Sequence, residues 1–406
     1  MPNGHGCRPG NVCWIEPTGP AIQRYGAAVA VTPPSFTIGI EEEYLLVDRQ
    51  TRNLVADPHP DLWEDAHRRL GSAVMPELLK AQIEIATRPH SDTSALRDDL
   101  KAMRSEVSNA ASKFDAAIIA SSTHPFALWW EQQHTDKDRY LLLAQDLAVV
   151  GQRLVICGMH VHVAIEDPDL RIDLMNQVTY FLPHLLALST SSPFWGSRNT
   201  GLKSYRMNVF RTLPRTGFPE HFESWAEYQR HVDVLVNAGL IEDSSKLWWD
   251  VRPSARYPTL EMRVCDICTR WEDAIAIASL YRCLLHMLYR LRRDNQRWRT
   301  YANMLVSENL WRAQRYGVEA SLMDFGESTL VPFADLADEM AFLVQPDAEI
   351  LGCVDEIDHI RTIARDGTSA RRQVETYTAA LASGAGESEA LQAVVDELIR
   401  DTTLGL

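Results

Sequence analysis

Positive charge is scarce in this 406-residue chain: 40 Lys and Arg stand against 55 Asp and Glu, a formal net charge of −15. Non-specific nucleic-acid binding needs clustered cations, so it is not expected here. Local arginine clusters can still bind anions. Long apolar runs are missing too. None approaches the roughly 20 residues that cross a bilayer, and no membrane association is expected. The opening "MPNGHGCRPGNVCWIEPTGPAIQRYG" has no charged start leading into an apolar segment, so no secretory signal is read there. Cysteine is sparse, with seven residues at irregular spacing, which fits reduced thiols and a cytoplasmic location. Cys265 and Cys268 form a lone C-x-x-C, and a zinc site would need a second ligand pair. No dinucleotide-binding glycine fingerprint follows the first strand. "GSRNTGLKS" fails as a phosphate loop, because its lysine comes one position late and no strand leads into it.

What is present is enough apolar residue for a large core, 46% of the chain. Residues 1–34 are rich in Gly, Pro and polar residues and read as a poorly ordered extension. Residues 35–406 read as one catalytic domain with a helical C-terminal part. Strands are expected at 36–47, 81–87, in "AAII", in "CGMHVHVAI" and at 259–264. Helices are expected in "HPDLWEDAHRRLG", after Asp92 as N-cap, in "YLLLAQDLAVVGQRLV", over 169–189 and in "FESWAEYQRHVDVLVNAGL". From Trp271 the chain reads as almost wholly helical. Strands joined by long connections imply an α+β fold with helices gathered on one side of a sheet.

The first strand, "FTIGIEEEYLLVD", carries three consecutive glutamates. Side chains alternate across a strand, so Glu41 and Glu43 share one face, roughly 7 Å apart along it. Glu42 falls on the apolar face and is expected to be structural, paired with an arginine. Two semi-buried carboxylates on one face repel unless a cation lies between them. Hard cations such as Mg²⁺ take such oxygen ligands together with phosphates. Gly39, beside them, is expected to leave room for a ligand. The pattern recurs: Glu84 in "AQIEIAT" points opposite to its isoleucines, Glu261 and Arg263 share a face in "TLEMRV", and His160 and His162 share a face after Gly158. Each motif alone fits a solvated strand face. Together they describe four strands that offer polar groups from one face of one sheet, as a metal–nucleotide site would. Such a site needs cations for phosphate. Segment 193–217 supplies Arg198, Lys203, Arg206, Arg211 and Arg215 among Phe194, Trp195 and Tyr205, and is the candidate lid.

As a set, "FTIGIEEEYLLVD", "AQIEIAT", "CGMHVHVAI", "SSPFWGSRNTGLKSYR", "PRTGFP", "WWDVRPSARYPTLEMRVCD" and "ENLWRAQRYG" resemble the glutamate–cysteine ligase type 2 family, in its bacterial carboxylate–amine ligase subgroup. The resemblance spans about residues 36–400. It implies a glutamine-synthetase-like fold, with a curved, mainly antiparallel sheet forming a funnel backed by helices. It implies joining of a glutamate-like carboxylate to an amine with ATP and Mg²⁺, by way of an acyl phosphate, in a homodimer. By position in the motifs, Glu41, Glu43, Glu84 and Glu261 match metal ligands. Arg263 matches a phosphate-binding arginine, His160 a histidine lining the site, and Arg206 the holder of the substrate carboxylate or forming acyl phosphate. Arg198, Arg215, Arg252 and Arg312 complete the expected nucleotide shell. Asn199 stands where many relatives carry Asp before "TG". Glutamate plus cysteine is the family's default pair. Another acid and amine, as in a secondary-metabolite pathway, or a guanidino-type phosphotransferase of the related fold, are the alternatives.

Overall fold

The first strand organises the fold because its two faces carry opposite chemistry. The computed structural model describes residues 32–136 and 147–406, and Pro34–Leu406 forms one compact unit. The expected N-terminal extension, but for residues 32–34, and residues 140–146 of the helix read in "YLLLAQDLAVVGQRLV" lie outside the described residues; the described part holds a short helix, Val149–Gln152. Seven strands form the main sheet: β1 (Ile38–Asp48), β2 (Val74–Pro76), β3 (Gln82–Ala86), β4 (Ala116–Ile119), β5 (Met159–Ala164), β6 (Val251–Pro253) and β7 (Thr259–Met262). Their order is β6–β7–β5–β1–β3–β2, with β4 pairing the far end of β1. Every pairing is antiparallel. This is the α+β class expected.

On one face of β1, Ile38, Ile40, Glu42 and Tyr44 are buried. The helix Thr93–Ser112 covers that face. It starts where predicted, with the Asp92 carboxylate accepting from the Ala95 N–H at 3.0 Å. Its buried Leu96, Leu100, Met103 and Val107 recur at helical spacing. Arg104 from this helix meets Glu42, and both side chains are wholly buried. Arg104 Nε and Nη2 donate to the two Glu42 oxygens at 2.8 and 2.6 Å, and the Tyr44 hydroxyl donates to the same carboxylate. The middle glutamate is therefore structural and paired with an arginine, as read from the sequence.

The central helix Trp271–Arg293 packs behind the sheet. It is long and apolar enough to cross a bilayer, contrary to the expectation that no segment is. Its side chains are mostly buried within the protein, and that burial accounts for its composition. From Trp271 the chain is mainly helical, as expected, with one hairpin of Ser321–Asp324 and Thr329–Pro332 that was not expected. Cys265 and Cys268 are free and fully buried in the core, as are Cys157, Cys283 and Cys353.

Candidate active site

The other face of β1 gathers the carboxylates. Register sets their neighbours: Glu41 lies opposite His160 on β5, Glu43 opposite Glu84 on β3, and Glu261 on β7 opposite both His162 and Arg252. The sheet thus brings Glu41, Glu43, Glu84, Glu261, His160 and Arg252 onto adjoining positions.

Two clusters result. In the first, Glu41, His160 and Glu261 hold candidate ligand atoms within 4.8 Å of one another. His160 Nδ1 lies 3.2 Å from Glu41 Oε2, and His162 Nε2 lies 3.3 Å from Oε1, at ion-pair distance but without hydrogen-bond alignment. Burial opposes ionisation of Glu41, yet the two histidines outweigh it and hold its carboxyl well below the usual range. Burial, aided by Arg263, pushes His160 down to about 4, so its ring is neutral and free to ligate at pH 7. Glu261 is buried, but Arg263 and Arg252 outweigh that cost and hold its carboxyl far below normal. Arg252 reaches Oε2 through Nε at 2.9 Å and Oε1 through Nη2 at 3.1 Å, and Arg263 Nη1 donates to Oε1 as well.

The second cluster is Glu43, Glu84 and Glu77. Burial and the Glu77 carboxylate push Glu43 up to about 8, against Arg206 and an N–H from Gly158 donated at 2.7 Å. Burial and then Glu77, Glu41 and Glu43 push Glu84 well above its normal value. Carboxylates that repel this strongly are what a divalent cation neutralises. The all-oxygen donor set suits a hard ion such as Mg²⁺. Glu77 was not picked out in the sequence. Its signal is faint: it follows the three-residue β2 and lies two positions past Met75, which faces Glu84. That puts it on the carboxylate face, but a strand this short shows no periodicity.

Cationic groups line the same area. Arg263 and Arg206 each bury an Nε with no hydrogen-bond partner, so each keeps a donor free for an anion. Arg206 donates to the backbone oxygens of Val264 and Arg263 at 3.3 and 3.2 Å and stacks on Phe210. Its guanidinium lies over Gly158, where an added Cβ would fall 2.5 Å from Nη2. Gly158, not Gly39, is thus the glycine that makes room. A Cβ at Gly39 would meet only ordinary 3.7 Å contacts.

The remaining arginines of the expected shell make their contacts elsewhere. Arg198 is exposed. Arg215 donates to the Lys246 carbonyl at 3.0 Å and lies over Trp248. Arg312 donates to the Ser321 carbonyl at 2.7 Å. Asn199 caps the Gly201 N–H at 3.0 Å, a bond aspartate would make equally. Buried Asp266 ties segment 193–217 to the body, accepting from the Ser204 hydroxyl within it and from the Ser191 N–H and Ser192 hydroxyl just before it, at 2.7–2.9 Å.

An antiparallel sheet with a carboxylate-lined face and free arginine donors is suited to cations and anions side by side, and comparison with known proteins narrows the class. The pattern of glutamate-cysteine ligase family 2 (GCS2) matches residues 37–397, and the chain belongs to that family. It is 58% identical over 377 residues to a Rhodospirillum rubrum protein named "Putative glutamate–cysteine ligase 2", covering 92% of this chain and 97% of that one. A Paracoccus denitrificans protein of the same name is 47% identical over 366 residues, covering 90% and 97%. Among solved structures, Francisella tularensis glutamate–cysteine ligase in complex with AMP superposes with a TM-score of 0.66 at 15% identity, over 90% of this chain and 89% of that one. A bifunctional glutathione synthetase from Pasteurella multocida gives 0.65 at 16%, over 90% and 52%. These neighbours share the fold, in keeping with the glutamine-synthetase-like class expected.

Proposed function

We propose that the protein is an ATP-dependent carboxylate–amine ligase that forms an amide through an acyl phosphate, with glutamate as the acid and cysteine as the amine. One observation carries the reading: five glutamates converge on one sheet face beside two arginines with free buried donors. Family membership and the names of the relatives support the substrate pair.

Glu43, Glu77 and Glu84 would hold one divalent cation, and Glu41, His160 and Glu261 another. Bound Mg²⁺ supplies charge neutralisation on the phosphates of ATP. Arg263, anchored through Glu261, would direct its free Nε–H at the transferring phosphoryl group. Arg206, fixed above Gly158, would hold the substrate carboxylate in line with it. The carboxylate takes the phosphoryl group, and the amine then displaces phosphate. Water must be kept out, because an acyl phosphate hydrolyses. The aromatic segment 193–217, held on Asp266, is the natural wall against it.

The test is ADP release from Mg-ATP and glutamate with and without cysteine, with mass analysis of the product. ADP release that needs both substrates and yields a dipeptide amide is expected. Tight Mg-ATP binding without turnover would move the search to other acids and amines. ADP formed with a phosphorylated product and no amide would favour a phosphotransferase.

A further inference from the structure

Far from the carboxylate face, Cys283 and Cys353 meet in the core with their sulfurs 3.4 Å apart. Both are fully buried. Among the described residues this is the one cysteine pair whose sulfurs touch. Cys283 lies on the central helix, and Cys353 is the N-cap of the helix Val354–Asp366, directly after the exposed, left-handed Gly352. Beside them lies Arg282, which is 2% exposed. Its Nε and Nη2 donate to the Phe36 and Ser91 carbonyls at 2.7 and 2.8 Å, while Nη1 is buried with no partner.

We propose that Cys283 and Cys353 are a dithiol that closes to an intramolecular disulfide when the protein meets a hydroperoxide. The two sulfurs play different parts. A helix N-terminus and a neighbouring guanidinium both favour a thiolate. Of the two, only Cys353 stands at a helix N-terminus, whereas Cys283 lies in the middle of the central helix. Cys353 is therefore the nucleophile. Its thiolate attacks one peroxide oxygen, the O–O bond breaks, and the leaving oxide takes a proton to become water or an alcohol. The resulting sulfenic acid is attacked by the Cys283 sulfur, which gives up its proton as hydroxide leaves, so a second water forms and the S–S bond closes. The sulfurs must approach from 3.4 Å to about 2.05 Å, within reach of side-chain rotation. Burial excludes bulky oxidants, and Cys353 adjoins the exposed Gly352, where a small peroxide would reach it. The bond would tie the central helix to that corner.

This inference is independent of the ligase reading, and its test uses no turnover. The full-length protein is treated with hydrogen peroxide, alkylated after denaturation and peptide-mapped without reduction. A Cys283–Cys353 cross-linked peptide, abolished by dithiothreitol, and a raised melting temperature are expected. Cys283→Ser should retain a sulfenic acid at Cys353 that dimedone labels, whereas Cys353→Ser should leave Cys283 unoxidised. Alkylation of both residues after peroxide, or equal oxidation of Cys283 in Cys353→Ser, would overturn the proposal. The wild-type map decides it even if a variant fails to fold.

Discussion

Replacing Arg104 with Met should destabilise the protein more than a typical single change, and the magnitude follows from its partners. Arg104 makes two charge-assisted bonds to Glu42 and donates to the Cys268 and Thr269 carbonyls at 2.9 Å each. Neither side chain of the pair touches solvent. Methionine fills much of the volume, so the main loss is electrostatic. The Glu42 carboxylate then keeps only the uncharged Tyr44 hydroxyl as a hydrogen-bond donor. Breaking one half of a buried pair costs about 3–5 kcal/mol. Against a typical total of about 5–15 kcal/mol, that is a large fraction. Removing both charges, as in Arg104→Met with Glu42→Leu, leaves no buried charge unpaired, only the neutral Tyr44 hydroxyl and the Cys268 and Thr269 carbonyls. The double variant should therefore recover about 2 kcal/mol or more relative to Arg104→Met. Urea unfolding followed by circular dichroism, with reversibility checked by dilution, measures both. A cost below about 1 kcal/mol for Arg104→Met, or a double variant as unstable as the sum of the singles, would refute the reasoning.

Other predictions concern the site and its surroundings. In metal-free buffer Glu84→Gln should raise the melting temperature, because it relieves repulsion from Glu77, Glu41 and Glu43, while lowering turnover by about 10²-fold or more; thermal scans and the ADP assay read the two effects. Gly158→Ala should push Arg206 aside and lower kcat by about tenfold or more with a small change in melting temperature, measured by steady-state kinetics. The bond from Asp273, at 2.8 Å, raises His359 above its normal 6.5 despite partial burial. A raised histidine adds stability in full below the unfolded value and loses it as pH rises through the folded one. The melting-temperature gap between wild type and His359→Gln should therefore be widest below about pH 6.5 and shrink above it, as thermal scans across pH would show.

Period-two alternation made much of this legible. It separated Glu41 and Glu43 from Glu42 and placed Glu84 and Glu261 on polar faces, and the sheet register then set these groups side by side. Alternation cannot supply partners, so it could not say that Arg104 would come from the following helix or that Gly158 would lie under Arg206. Glu77 escaped because β2 is three residues long and its pattern exists only through pairing with β3. The Ser321–Pro332 hairpin escaped for the same reason, with two four-residue strands inside a helical stretch. Gly39 misled because smallness in a sequence does not reveal what stands opposite. Arg215 and Arg312 carry the right charge for phosphate, but in the folded chain they tie down backbone carbonyls.

The proposed reaction requires that the carboxylate face bind ATP through divalent cations. Calorimetric titration of ATP into the protein, with Mg²⁺ and with EDTA, tests this without knowledge of the acid or the amine. Binding that requires Mg²⁺, is lost in Glu41→Gln and Glu84→Gln, and leaves both variants folded is the predicted result. Binding that is indifferent to Mg²⁺ or to both substitutions, or no binding by the folded wild-type protein, would contradict the account.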